Sequence, residues 1–393
     1  NIRLFADDTM VYAEVDNSVI TAELLNRDLE TINIWSKKWL VNFSPEKTKS
    51  IIFSNKRIKN QHPNIYLNTV KIKEVESHKH LGLTLAQNAK WDEHLTNITK
   101  KANKRLNILK QFRFNLDRKT LQTLYFTYIR PLLEYGNVVW SNLNESQTES
   151  LEDIQLAAAR IVTGAVKGTR HESLNNELEW EKLSKRRESH QLMLLHKMIN
   201  KDCPSFLSRL IQVEEETHYN NRLRNNKPYV TPIFARTNLY FNSFIPATIR
   251  KWNSVKAIDK NLPLNMFKRK LTNKPNVPEY FSYGSRSGQI YLARLRMKCS
   301  NLNHHLCLRY LAEDPKCKCG YKVEDTKHYL FECDEYDDIR KNTIKSLPYQ
   351  INVTTCLYGN PNLSTNENIQ ICKTVISFIM KTQRLFQNVQ DQE

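Results

Sequence analysis

Glycine is scarce in this 393-residue chain, which contains 8 glycines and 13 prolines. So little glycine excludes collagen-like chains and glycine-rich linkers. No uninterrupted apolar run approaches the roughly 18 residues that a membrane-spanning helix requires. The sequence also lacks a Gly-x-x-x-x-Gly-Lys phosphate loop, a Gly-x-Ser-x-Gly elbow and a His-Glu-x-x-His helix. These absences argue against P-loop nucleotidases, α/β hydrolases and zinc metalloproteases of the common kinds.

Positive charge is abundant. Lys and Arg number 59 against 41 Asp and Glu, which gives a formal net charge of +18. Such an excess favours a polyanionic partner, either nucleic acid or an anionic membrane surface. Apolar residues make up 40% and aromatic residues 10%, so the chain has the material for two or three hydrophobic cores.

The eight cysteines are sparse except between positions 299 and 333, where histidines accompany them. This distribution is typical of a reducing compartment and one metal site, and it argues against a secreted disulfide framework. With no secretory leader or membrane segment in the sequence, we expect an intracellular protein of the nucleus and cytoplasm. The sequence opens without Met inside a strand-like segment, so we interpret the chain as part of a longer polypeptide.

The pattern of apolar residues changes along the chain and predicts an α+β protein. Residues 1–88 alternate as short strands around one helix, whereas 89–200 have helical periodicity. The segment 201–289 is basic and rich in proline and aromatic residues, and we expect short helices there. The cysteines and histidines lie within 290–345, and 346–393 predicts a C-terminal helical tail.

Two adjacent carboxylates, Asp7 and Asp8, separate two short apolar segments near the start of the chain, which predicts a hairpin. Neighbouring carboxylates repel one another, and a divalent cation such as Mg²⁺ removes that repulsion. Two such ions activate the attacking hydroxyl and stabilise the leaving group in nucleotidyl transfer. The alternative is a solvated turn, because Asp is common in turns.

The hairpin and the segments after it resemble the reverse transcriptases of non-LTR (LINE-type, jockey-like) retrotransposons. The matching elements occur in the family's order: Phe5-Ala6-Asp7-Asp8, the helix with Trp35 and Trp39, Asn42 to Thr48, His80-Leu81-Gly82-Leu83 with Trp91 and His94, Leu124 to Trp140, and Leu151 to Arg160. The resemblance implies the C-terminal half of a palm, then a mostly helical thumb and a small Cys/His zinc knuckle region.

On this resemblance, Asp7 would be the ligand shared by two Mg²⁺ ions and Asp8 a weaker neighbouring carboxylate. Lys47 would approach the incoming triphosphate, although a solvated lysine is a comparable interpretation. The partners of the intact polymerase would be an RNA template, a DNA primer and deoxynucleoside triphosphates. Because the family's palm needs another aspartate from an upstream strand, we expect this chain alone to be inactive. The alternative hypothesis is a non-catalytic nucleic-acid-binding remnant with a structural zinc site.

Two clusters of basic residues predict surfaces that hold nucleic acid by its phosphates. The first cluster, within 98–120, comprises Lys100, Lys101, Lys104, Arg105, Lys110, Arg113, Arg118 and Lys119. The second, within 250–274, comprises Arg250, Lys251, Lys256, Lys260, Lys268, Arg269, Lys270 and Lys274. Trp252 and Phe267 accompany the second cluster, and we expect them to stack on bases. The alternative for each cluster is a solvated lysine face.

A third motif, Cys317-x-Cys319-x8-His328-x4-Cys333, offers three thiolates and one imidazole, which suits tetrahedral Zn²⁺ without an open position. Similar knuckles occur near the C-terminus of many LINE-type polymerases. Nearby residues leave alternatives open, since they could replace members of the set: Cys299, His304, His305 and Cys307. Another alternative is packed cysteines without metal. Acidic residues outnumber basic ones between 310 and 340, so we expect a structural staple that presents Arg294, Arg296 and Lys298 beside it.

Overall fold

The computed structural model describes residues 1–54, 62–213, 230–254, 262–272 and 277–386. The chain separates into two compact units, Asn1–Asn97 (unit 1) and Ile98–Glu393 (unit 2). Unit 1 mixes strands with helix and unit 2 is helical in its described residues, so the α+β expectation is confirmed at this level. The finer division into five segments stays a prediction.

Unit 1 contains one long helix, α1 (Ser18–Trp39), and short strands that pair two by two. The strands are β1 (Ile2–Phe5), β2 (Asp8–Val11), β3 (Lys49–Ser50), β4 (Tyr66–Leu67), β5 (Val70–Lys71), β6 (Lys73–Glu74), β7 (Ser77–His80) and β8 (Leu83–Ala86). The pairs are β1–β2, β4–β5 and β7–β8, all antiparallel, and the parallel pair β3–β6.

Helix α1 begins where its capping signal predicts. The side chain of Asn17 accepts hydrogen bonds from the backbone N–H groups of Val19 and Ile20, which satisfies donors that the first turn leaves free. The helix ends at Leu40, whose φ of 55° is left-handed. Asn26 joins α1 to β4, since its side-chain carbonyl accepts from the N–H of Tyr66.

Unit 1 contains the predicted hairpin at Asp7 and Asp8 and a second hairpin between β7 and β8. In the first, Phe5 pairs with Asp8, so Ala6 and Asp7 form the turn and Ala6 takes a left-handed φ of 51°. In the second, Leu81 and Gly82 form the turn between β7 and β8. The chain reverses at Leu81 and Gly82, and both residues have positive φ angles.

Unit 2 continues from α2, which begins in unit 1, through a series of packed helices. They are α2 (Asp92–Gln111), α3 (Arg118–Leu124), α4 (Arg130–Glu134), α5 (Glu145–Thr163), α6 (His171–Leu178), α7 (Leu183–Ile199), α8 (Ser205–Ser208), α9 (Asn238–Phe241), α10 (Phe244–Ser254), α11 (Leu264–Leu271), α12 (Arg286–Arg296), α13 (Asn303–Cys307), α14 (Asp337–Lys341), α15 (Val353–Tyr358) and α16 (Thr365–Thr382). π-Helical turns occupy Tyr125–Ile129 and His328–Glu332, and 3-10 turns occupy Glu279–Ser282, Asp334–Tyr336, Ile344–Ser346 and Arg384–Phe386.

Two apolar clusters lie in the core of the described part of unit 2. In one, α7 packs against α10 and α11 through Leu195, Trp252 and Phe267. In the other, α12 packs against α16, and Tyr329 and Phe378 lie fully buried. Burial of large side chains of this kind stabilises the fold by about 1.5–3 kcal/mol each.

Helix α12 is joined to the earlier helices by buried charge. Glu177 of α6 pairs with Arg118 of α3 at 2.5 Å and with Arg296 of α12 at 2.6 Å. The two guanidiniums hold the pKa of Glu177 below its ordinary value, although burial alone would raise it. At the other end of α12, Arg286 donates to the carbonyl oxygens of Arg113, Ile161 and Val162. Residues 286–296 are therefore part of the helical body that begins at α2.

Among the described residues, every helix is too short or too polar to span a lipid bilayer.

Candidate nucleic-acid interface and metal site

The Asp-Asp hairpin presents its carboxylates at the surface. Asp7 lies in the two-residue turn and Asp8 begins β2, and both side chains are exposed. Within the described residues, the one group of three or more metal-binding side chains that come together is the Cys/His motif. In this part of the chain, then, no third ligand joins Asp7 and Asp8.

Lys47 lies in the turn that leads into β3. Its backbone N–H donates to the hydroxyl of Ser44, and its side chain is exposed. The exposure is compatible both with a phosphate contact and with a solvated lysine, so its role stays a prediction.

The first basic cluster divides into an exposed and an inward-facing part. On α2, the stripe formed by Leu95, Ile98, Ala102, Leu106 and Leu109 is buried, as its periodicity predicts. The exposed lysines of the same helix make no ion pair with any carboxylate of the described residues: Lys100, Lys101, Lys104 and Lys110. Four uncompensated charges along about three turns form a positive surface, which we call the α2 lysine face.

Arg105 and Arg118 of this cluster contact other residues of the protein through their guanidinium groups. Arg105 donates to the carbonyl of Tyr128 and lies 4.1 Å from the centroid of the Tyr128 ring. The expectation that Arg118 belongs to the basic surface is wrong, because its side chain is buried against Glu177.

The second cluster is also divided. Lys268, Arg269 and Lys270 are exposed on α11, whereas Arg250 lies 3.5 Å from the ring centroid of Phe241 and Lys251 pairs with Glu188. Lys256, Lys260 and Lys274 lie outside the described residues.

The expectation that Trp252 and Phe267 stack on bases is wrong. Both are almost completely buried, and their ring centroids lie 5.5 Å apart in the core beneath α7. The ring of His196 stacks on Phe267 at 4.6 Å and completes this packing.

The motif Cys317, Cys319, His328 and Cys333 comes together in space, with its ligand atoms within 4.8 Å of one another. The sulfurs of Cys317 and Cys333 are 3.8 Å apart, and the sulfur of Cys319 lies 3.3 Å from Nε2 of His328. A tetrahedral zinc ion with Zn–S bonds of about 2.3 Å requires S···S edges of about 3.8 Å and S···N edges of about 3.6 Å. The donor set therefore fits Zn²⁺, which would bind as a structural ion with four protein ligands.

Local backbone geometry brings these ligands together. Gly320 has a φ of 91°, and the N–H of Cys317 donates to the carbonyl of Tyr321, which closes a tight loop around Cys319. A π-helical turn follows, in which the N–H of Cys333 donates to the carbonyl of His328. A π turn returns to the same side after five residues, so His-x4-Cys places both ligands toward one centre.

A second layer of side chains supports the ligands. The ring of Tyr321 stacks on the imidazole of His328 with centroids 4.3 Å apart and planes 2° apart. Glu324 lies 3.8 Å from the sulfur of Cys317 and is paired with Arg384 near the C-terminus. Burial raises the pKa of the Cys333 thiol to about 12, so metal binding must displace a proton from it.

The alternative ligands have other roles. His305 is buried, its Nδ1 lies 2.7 Å from the hydroxyl of Ser300, and burial lowers its pKa to about 4. Cys299, His304 and Cys307 are not members of the cluster. The expectation that the staple presents Arg296 is wrong, because that side chain is buried against Glu177. Arg294 donates to the carbonyl of Gly164.

Several residues that carry the family resemblance stabilise the helical unit. Glu134 pairs with Arg186, and Asn137 contacts His190 of α7 at 2.9 Å. Glu152 accepts hydrogen bonds from the N–H groups of Leu183 and Ser184, where α7 begins. These motif residues therefore position α7.

Sequence reasoning missed Tyr321 and Arg384 as neighbours of the metal ligands. The signal for Tyr321 was its position inside the ligand loop, directly after Gly320. Arg384 gives no comparable signal, because it lies 60 residues from Glu324.

The sequence of the chain is similar to those of several known proteins. The chain is 24% identical over 247 residues to the RNA-directed DNA polymerase from mobile element jockey of Drosophila melanogaster, covering 60% of this chain and 26% of that relative. It is 27% identical over 194 residues to a probable RNA-directed DNA polymerase from transposon BS of the same organism, covering 47% of this chain and 21% of that relative. It is 23% identical over 359 residues to the Pol polyprotein from type-1 retrotransposable element R1 of Bradysia coprophila, covering 86% of this chain and 32% of that relative.

No family model and no solved structure matches the chain. The chain is a relative of the RNA-directed DNA polymerases of mobile elements. Within that class its relatives are non-LTR retrotransposon polymerases, so the resemblance found in the sequence is confirmed. The chain spans between 21% and 32% of the length of the three relatives described above.

Proposed function

We propose that this chain is part of the reverse transcriptase of a non-LTR retrotransposon, an enzyme that extends a DNA 3′-hydroxyl on an RNA template. The observation that carries the proposal is the similarity to the jockey and R1 polymerases, together with the Phe5-Ala6-Asp7-Asp8 hairpin. In this proposal unit 1 is half of a palm, α2 to α7 form the thumb, and the Cys/His motif is a structural zinc knuckle.

The proposed chemistry is nucleotidyl transfer assisted by two Mg²⁺ ions. Asp7, at the exposed turn, would hold both ions, with Asp8 as a weaker ligand. The ions would supply charge neutralisation at the attacking and leaving oxygens. Lys47 would contact the triphosphate of the incoming nucleotide and serve as a general acid.

The proposed role of the α2 lysine face is to hold the template–primer duplex. Its four lysines are exposed and unpaired among the described residues, and they lie opposite a buried apolar stripe. Such a face binds phosphates without regard to sequence, which a polymerase thumb requires.

A second candidate is a non-catalytic nucleic-acid-binding remnant. The observation that favours it is that no third carboxylate joins Asp7 and Asp8 within the described residues. Two Mg²⁺ ions need more ligands than one Asp pair offers. We propose accordingly that the chain by itself does not synthesise DNA.

The experiment that tests both candidates is primer extension on an RNA template with Mg²⁺ and deoxynucleoside triphosphates. We compare the 393-residue chain with a longer polypeptide that supplies the upstream palm, each with Asp7 or with Asp7→Asn. The polymerase proposal expects synthesis by the longer polypeptide and none with Asp7→Asn, while duplex binding is unchanged. Synthesis that is insensitive to Asp7→Asn would overturn the assignment of Asp7, and no synthesis by either wild-type polypeptide would favour the remnant.

A further inference from the structure

The tip of the metal loop is positively charged. Between positions 315 and 323 the sequence contains three lysines and no carboxylate. The three side chains, of Lys316, Lys318 and Lys322, are exposed. The loop itself is therefore basic, although the wider segment 310–340 is acidic.

Several acidic residues of that wider segment pair with basic residues outside the tip. Glu324 is buried and paired with Arg384, and Glu332 pairs with Lys327 at 2.5 Å. Asp337 receives Arg340, Lys341 and Lys345 within 3.1 Å. Asp314 pairs with Lys316, but both side chains are more than half exposed, so this pair is worth little. The net negative charge of 310–340 is therefore not concentrated at the loop tip, which can contact phosphates.

An aromatic ring lies at the same tip. Tyr321 covers the imidazole of His328 with one face, and the residue remains 50% exposed. A tyrosine that serves only to orient a ligand has no need of an exposed surface, since burial of the ring strengthens its packing. An exposed ring that is fixed on one side and flanked by lysines has the features of a stacking surface for a base.

We propose that Tyr321 is a stacking platform for an unpaired base of a single-stranded nucleic acid, whose flanking phosphates contact the lysines of the loop 315–323. The inference rests on the proposed function, because it extends the nucleic-acid partner of unit 2 to a second site. The proposed ligand is a single strand and not a duplex, because the faces of bases inside a duplex are already stacked on their neighbours.

Binding of a short single strand tests the proposal. The zinc-loaded full chain is titrated into a fluorescently labelled 12-nucleotide oligouridine, with Tyr321→Ala as the variant and zinc content measured in parallel. We expect binding at least about 5-fold weaker, as loss of one base–aromatic stack implies. Tyr321→Phe keeps the ring and should bind within about 2-fold of the wild type. The matched control is Tyr66→Ala, which removes a tyrosine of unit 1 that is 44% exposed and should leave oligouridine binding unchanged.

Crosslinking of the unmodified protein gives a second, variant-independent measurement. An oligouridine with 5-iodouridine at its centre should crosslink to a peptide that contains Tyr321. Crosslinks confined to other peptides would overturn the proposal, as would Tyr321→Ala that retains zinc and binds like the wild type. If Tyr321→Ala releases zinc, the crosslink decides, together with Lys322→Glu, which should weaken binding and leave zinc bound.

Duplex binding and oligouridine binding together distinguish a missing stacking platform from a wrong proposed function. If duplex binding depends on the α2 lysine face while oligouridine binding ignores Tyr321, the platform is absent and the proposed function stands. If the chain binds neither duplex nor single strand at low salt, the proposed function itself is wrong.

Discussion

The carboxylate of Glu177 lies 2.6 Å from a guanidinium nitrogen of Arg296, which follows it by 119 residues. The same carboxylate pairs with Arg118 on the other side, and all three side chains are buried. A buried negative charge between two positive ones ties α3, α6 and α12 together.

Glu177→Gln should therefore destabilise unit 2. The substitution leaves two buried guanidiniums with a neutral partner, and breaking a buried pair typically costs about 3–5 kcal/mol. Urea unfolding followed by circular dichroism measures the change. Glu188→Gln is the matched control, because its pair with Lys251 is partly exposed and should be worth under about 1 kcal/mol. Equal losses of unfolding free energy in the two variants would show that the buried triad contributes no more to stability than the exposed pair.

The same triad predicts a stability that falls in acid. The pKa of Glu177 is lowered on folding, so its contribution is complete above its unfolded pKa near 4.5 and is lost as pH falls through the folded value. Unfolding free energy should decrease below about pH 4.5. In Glu177→Gln this part of the decrease should be missing, and a pH profile with the same slope as the wild type would contradict the assignment.

Zinc removal should loosen the C-terminal part of unit 2. The metal ligands lie beside the apolar cluster around Tyr329 and α16, and structural zinc contributes directly to folding free energy. We expect chelation to lower the melting temperature by more than about 4 °C. Cys319→Ser should abolish the bound zinc, whereas Cys307→Ser should retain one ion per chain, because Cys307 is outside the cluster. Loss of zinc from Cys307→Ser would mean that the ligand set is different.

Duplex binding should weaken steeply as salt rises, because each phosphate contact releases counterions. We replace Lys100, Lys101, Lys104 and Lys110 by Ala. The plot of log K against log salt should then become less steep, with the magnitude of its negative slope reduced by up to about 3.6, since each contact contributes about 0.9. Lys341 and Lys345 provide the control, because both are paired with Asp337. An affinity that is flat in salt, or a control with the same effect as the α2 variant, would remove the basis for the thumb assignment.

Elements that depend on local chemistry have their signals close by in the sequence. The cap at Asn17, the stripe of α2 and the C-cap at Gly164 each lie within a few residues of the helix they define. The zinc motif was predictable for the same reason, since loop and π turn bring four ligands together within 17 residues.

Contacts between distant residues could not be predicted in this way. A count of basic residues assigned Arg118 and Arg296 to solvent, because nothing near them in the sequence identifies Glu177 as their partner. Trp252 and Phe267 were assigned to bases for the same reason, although their positions beneath α7 place them in the core. Aromatic and basic residues can either pack inside a protein or contact nucleic acid at its surface. Only the burial of the side chain in the folded structure distinguishes the two roles.

The three carbonyl groups that accept from Arg286 belong to residues 124 to 173 positions earlier in the chain. During synthesis on the ribosome, α2 to α7 emerge well before this arginine, with a delay on the order of 10 s at usual elongation rates. Until Arg286 and Arg296 arrive, those carbonyls lack their arginine donor and Glu177 has only one of its two guanidinium partners, Arg118. The nascent helices α2 to α7 are thus exposed to chaperones and proteases in an unfinished form, and a premature stop before residue 286 would leave them so permanently.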